Sequence, residues 1–136
     1  MQMKYKTLFV IIVIFMFTDL LYSQDSLEVV SRITDEDIEI NYLKGIESDN
    51  LGLRISSAYQ LGERKSKKAV IPLMDALRND SSVEVRIMAA LSLYKIGDQR
   101  GIFAIKKAID FDKNEQVKQM CSTFYQMYVA ENKEAE

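Results

Sequence analysis

The chain has 136 residues, enough for one domain, and 48% of them are apolar, which excludes general disorder. With only 5 Gly and 1 Pro it lacks the turn formers of an all-β sandwich or barrel. A net charge of −2 excludes the strong basic excess of a nucleic-acid binder.

The N-terminus comes first. Lys4 and Lys6 precede an unbroken apolar run from Leu8 to Phe17, and a polar stretch then ends at Leu21-Tyr22-Ser23. That is the layout of a secretory signal peptide, with small Ser23 before the cleavage position. Residues 1–23 are therefore expected to be removed and the chain exported, to the periplasm or the exterior. The run is too short to span a bilayer comfortably and Asp19 interrupts its extension, so no stable membrane insertion is expected after cleavage. An uncleaved signal anchor is the alternative. The mature chain carries 16 basic and 19 acidic residues, a charge of −3.

Residues 24–34 form a lead-in in which Ser26 offers a cap for a short helix. Six helices then follow, over 35–48, 52–63, 67–79, 82–96, 99–111 and 115–131, with a charged tail at 132–136. In the third, Val70, Leu73, Met74 and Leu77 repeat at i, i+3, i+4 and i+7, one apolar stripe from which Asp75 and Arg78 are excluded. Ile102, Ile105 and Ile109 copy it in the fifth. The fourth helix is apolar on more sides (Val83, Val85, Ile87, Met88, Ala90, Leu91, Leu93, Tyr94), which predicts neighbours on both flanks. Ser81 with Glu84 reads as a capping box, and Asp49-Asn50 and Asp112 with Asn114 offer caps at equivalent places. Gly62 and Gly97 mark helix ends. Pro72 is expected to bend or locally unwind its helix.

A period of 32 residues organises these helices. Leu53, Val85 and Val117 align, as do Arg54, Arg86 and Lys118, and the small residues Ser57, Ala89 and Cys121. Leu61 pairs with Leu93, Leu73 with Ile105, and Asp80 with Asp112. One helical hairpin cannot bury its stripe alone, whereas three stacked hairpins share a continuous core. The predicted fold is all-α: an α-solenoid of about three stacked antiparallel hairpins over residues 35–131.

The stretch from Ala69 to Asp98, AVIPLMDALRNDSSVEVRIMAALSLYKIGD, closely resembles HEAT-like repeats, especially the short class that includes phycobilin-lyase-type repeats. The resemblance lies in Pro72, turn Asp80, Val85-Arg86 and paired Ala89-Ala90. It continues through Asp49, Arg54 and Ala58, and weakens where Lys118 replaces Arg and Cys121-Ser122 replace the Ala pair. It implies a solenoid used for protein–protein contact and no chemistry by itself. It further implies that turn Asp and helix Arg bond across neighbouring hairpins, so Asp80, Arg86, Asp112, Lys118 and Arg54 are expected to be structural, with ligand binding as their alternative role.

The chemical vocabulary is thin. There is no His, which removes Ser-His and Cys-His nucleophilic pairs and His-containing metal sites. Cys121 cannot form an intramolecular disulfide, and the period places it in a small-residue slot, as a buried inert thiol. Asp35, Glu36, Asp37 and Glu39 could serve acid–base chemistry or Ca²⁺, but negative charge in a first helical turn follows from the helix dipole. No Gly-rich phosphate loop or nucleophile elbow appears. No enzyme activity and no cofactor or metal are expected.

Two surfaces stand out. The turns between hairpins are basic (Arg64, Lys65, Lys67 and Lys68, then Lys95 and Arg100) and those within hairpins acidic, which would place opposite charge on opposite edges. The basic edge is a candidate contact for an anionic partner. In the last helix Phe124, Tyr125, Met127 and Tyr128 either close the core or form a docking or self-association surface, with a homo-oligomer as its consequence. The sequence expectation is a non-enzymatic interaction module or scaffold of the cell envelope or exterior, with an unidentified protein partner. An accessory or lyase-like subunit holding a small ligand in the concave groove is one alternative, and a membrane-tethered scaffold the other.

Overall fold

The computed structural model describes residues 34–133. The expected signal peptide at 1–23, the lead-in through residue 33 with Ser26, and the tail residues 134–136 lie outside the described residues. A compact unit begins at Ile38, and of the unit before it only residues 34–37 are described.

Six α-helices are present among the described residues: α1 (Asp35–Ile46), α2 (Leu51–Glu63), α3 (Val70–Asn79), α4 (Val83–Ile96), α5 (Gln99–Phe111) and α6 (Glu115–Lys133). No strand occurs there. α2, α4 and α6 pack side by side as one layer. α3 packs on α4, and α5 on both α4 and α6. The chain is an all-α solenoid.

Five of the six helices begin with a side chain that satisfies N–H groups the helix itself leaves unpaired, α3 being the exception. At α1, Thr34 Oγ1 accepts from the Asp37 amide at 3.2 Å, and Asp37 Oδ2 accepts from the Thr34 amide at 2.9 Å, a reciprocal capping box. The Thr34 amide, and the Thr34 hydroxyl donating to the same oxygen at 2.7 Å, hold the Asp37 carboxyl below its usual range. Asn50 caps α2 and Asp98 caps α5, while Asn114 Oδ1 accepts from the amides of Gln116 and Val117. The cap of α4 is Ser82 rather than Ser81: Ser82 Oγ accepts from the Val85 amide and donates to Glu84 at 2.6 Å. Ser82 holds the extended backbone of a cap, and Ser81 lies one residue outside it, its carbonyl accepting from Arg86 Nη1 at 3.4 Å.

Gly97 ends its helix as the sequence predicts, and Gly62 does not. Gly97 ends α4 with φ of 71°, a left-handed conformation that glycine adopts without a Cβ penalty. Gly62 instead lies inside α2, where a Cβ would sit 2.8 Å from the Ser92 Cα of α4. It serves close approach rather than termination. Ser92 Oγ reinforces the contact by donating to the Ala58 carbonyl at 2.7 Å. The expected helix over 67–79 is divided into a 3₁₀ turn, Lys67–Ala69, followed by α3. Pro72 therefore stands in the first turn of α3, where its missing N–H leaves no helical bond unmade.

The core runs along the stack. Leu61, Leu73, Leu93, Ile105, Val70, Val85, Val117 and Cys121 are fully buried. Burial of each large aliphatic side chain contributes about 1.5–3 kcal/mol. α4 buries Val85, Arg86, Ala89, Ala90, Ser92 and Leu93, consistent with neighbours on both sides. Leu53, which shares a register with Val85 and Val117, is instead 48% exposed in the first hairpin.

Candidate functional site

The repeat places one arginine fork at the same point of successive hairpins. Arg54 donates through Nε and Nη2 to Asp80 at 2.9 and 3.3 Å, and through Nη1 to the Ser48 and Asp49 carbonyls. Thirty-two residues on, Arg86 donates to Asp112 at 3.0 and 3.2 Å and to the Asp80 and Ser81 carbonyls. Asp80 and Asp112 also accept from the amides of Ser82 and Asn114. Each carboxylate thus joins a turn to the helix of the preceding hairpin. Lys118 does not extend the series: its Nζ meets Glu115 of its own helix at 3.1 Å. A lysine ammonium cannot reproduce the planar fork that holds a carboxylate and two carbonyls together.

The edge formed by the turns between hairpins carries its own carboxylates. Lys68 pairs with Glu39 at 3.2 Å, Lys95 with Glu63, and Arg100 with Asp98 at 2.9 Å. Glu39 also accepts from Ser66 Oγ, and that bond, with Lys68, holds its carboxyl below the usual range. Arg64 lies over the Tyr42 ring, and Lys65 occupies a left-handed turn with φ of 49°. Lys67 is exposed. Nearby carboxylates therefore screen part of the positive charge counted in the sequence.

In α6, Phe124 is buried and stacks on Tyr94 of α4, with ring centroids 6.1 Å apart. Tyr125 and Tyr128 are half-buried against the core. Lys106 sits over the Tyr125 ring, and Tyr128 accepts from Gln99 at 2.7 Å. Met127 is the exposed apolar side chain of this group. Cys121 is fully buried, and desolvation, helped by the Asp112 charge, pushes its thiol up to about 12.

The most exposed apolar surface lies elsewhere. A groove of about 720 Å³ runs between α3 and α5. Ile71 and Phe103, 57% and 59% exposed, stand on its two sides, and Phe111, 75% exposed, stands at one end. Lys107 lies over both Phe103 and Phe111, 5.5 and 5.3 Å from the ring centroids. Sequence reading passed over these residues because it followed the buried stripe. Their signal is apolar character off that stripe at a matching register, since Ile71 and Phe103 are also 32 positions apart.

Among the described residues no helix is long and apolar enough to cross a membrane, and no cluster of carboxylate and thiol groups could hold a metal ion. No curated protein matches the chain. The family model for HEAT repeats matches residues 41–122, more than half of the sequence. HEAT repeats generally mediate protein–protein interaction. With that match on a stack of hairpins joined by repeating Arg–Asp forks, the chain belongs to the HEAT repeat family.

Proposed function

We propose that this chain is a non-enzymatic protein–protein interaction module or scaffold, exported to the cell envelope or exterior. The observation that carries the reading is the HEAT repeat match on a stack whose forks are spent on joining hairpins. The absence of His from the sequence supports a non-catalytic role. Export rests on Lys4, Lys6 and the apolar run from Leu8 to Phe17.

The test is in-cell crosslinking followed by purification of the full chain and sequencing of its N-terminus. The reading expects a reproducible protein partner in stoichiometric yield and a mature start at Gln24. An intact Met1 would remove the cleaved-export part. A co-purified chromophore or metal without a protein partner would replace the module by a ligand-handling subunit.

A further inference from the structure

The geometry points to the groove between α3 and α5 as the docking site for an amphipathic helix of a partner protein, one with acidic residues flanking its apolar stripe. The inference rests on the chain being an interaction module, and it names the surface and the chemistry of the partner.

The groove has two ridges of similar length. Ile71, Met74 and Arg78 lie at i, i+3 and i+7 on α3, and Phe103, Lys107 and Phe111 at i, i+4 and i+8 on α5. At 1.5 Å of rise per residue each ridge is about 10–12 Å long, the span of i to i+7 on a docked helix. An extended strand is a poorer occupant. Both ridges are helices whose backbone groups are paired internally, so a strand would find no ladder for its own N–H and C=O groups. A helix satisfies its backbone itself and brings only side chains.

Charge selects the flanks. Four ionic side chains line the groove: Asp75, Arg78, Lys107 and Asp112. The Asp112 carboxylate is taken by Arg86. Asp75 accepts from the Asn79 side-chain Nδ2 at 2.6 Å on its own helix. Arg78 and Lys107 meet no carboxylate among the described residues. The groove is thus left with two cations against one carboxylate. Lys107 is set between two exposed rings, where a docking helix would exclude water and strengthen its attraction for a carboxylate. A second copy of the chain fits less well, because the exposed apolar patch ends after about two turns and a stable dimer covers about 800 Å² on each subunit.

The probes are two synthetic peptides of about 20 residues, long enough to hold helix. Both carry Leu at i, i+3, i+4 and i+7, flanked by Glu in one and by Lys in the other. Vesicles of anionic phospholipid form a third arm. Binding is followed by fluorescence anisotropy and by amide chemical-shift changes. The acidic peptide should bind with shifts centred on α3 and α5, and more tightly than the basic one. Phe103→Ala/Phe111→Ala should weaken it about tenfold or more. Arg78→Glu/Lys107→Glu should reverse the preference between the two peptides. These side chains are exposed, and thermal melting checks that the variants remain folded.

Equal binding of both peptides, binding to neither, shifts elsewhere, or vesicle binding that the Phe variants abolish would each overturn the assignment. If the peptides fail while crosslinking still yields a protein partner, the groove assignment falls and the module stands. If crosslinking also yields none, both fall.

Discussion

Arg86 reaches forward 26 residues to grip Asp112 with two nitrogens, at 3.0 and 3.2 Å, while both side chains are almost fully buried. Removing one partner leaves the other charge in a desolvated place. Asp112→Ala is therefore expected to lower unfolding free energy by about 3 kcal/mol. Arg54 and Asp80 make the same contacts at 15% and 12% side-chain exposure, so Asp80→Ala should cost less, about 1–2 kcal/mol. Urea denaturation of both variants measures the difference. Equal losses would show that burial does not set the strength of the fork.

That fork also shows what was legible in the sequence. The 32-residue offset located Arg54, Arg86, Asp80 and Asp112 because identical chemistry recurs at equal spacing. The same offset included Lys118, whose geometry pairs it with Glu115 instead. Periodicity reports position, whereas a planar bidentate contact depends on side-chain shape. Ser81 and Ser82 could not be separated by pattern, since adjacent serines give the same signal and only the backbone decides which one reaches the Val85 amide. Ile71, Phe103 and Phe111 escaped because a stripe-based reading assigns apolar residues to the core, and these three lie outside it. The charged edge was legible as a list of cations but not as pairs. Glu39 and Glu63 stand on α1 and α2 and are brought to Lys68 and Lys95 by folding, while Asp98 pairs with Arg100 two residues away.

Gly62 allows α2 and α4 to approach until backbone meets backbone. A methyl group there would sit 2.7 to 2.8 Å from Ser92 atoms, including its Cα. Gly62→Ala should destabilise the stack by about 2 kcal/mol through overpacking, despite the better helix propensity of alanine. Adding Ser92→Gly removes the side-chain part of the clash and should recover some of the loss. A Gly62→Ala protein as stable as the parent in urea would show that the two helices can separate without cost.

Cys121 is the only thiol in the chain, fully buried and with its pKa raised to about 12. The thiolate is the reacting form, so at pH 8 alkylation should be limited by opening of the stack. Labelling should accelerate with urea in step with unfolding. Fast labelling of the native protein would mean that α6 opens locally from α4. Cys121→Ala should fold normally, with a loss of about 1–2 kcal/mol for the vacated volume.

Asp98 gives the fold an acid-sensitive element. Its carboxylate accepts from the Arg100 side chain and from the Arg100 amide, and these bonds bring its pKa from 3.8 to about 2. A depressed folded-state pKa stabilises the protein wherever the group is ionised in the unfolded chain, so this contribution is fully present above about pH 4. It declines as pH falls through the window between 3.8 and about 2, where the unfolded chain takes up the proton first. Asp98→Asn keeps an oxygen to cap α5 but loses the charge. The parent should therefore melt at a higher temperature than Asp98→Asn at pH 6, by a margin that shrinks in high salt because the pair is solvent-exposed. The two melting temperatures should converge as pH approaches 2. A gap that persists unchanged at pH 2 would assign the effect to the cap geometry instead of the ion pair.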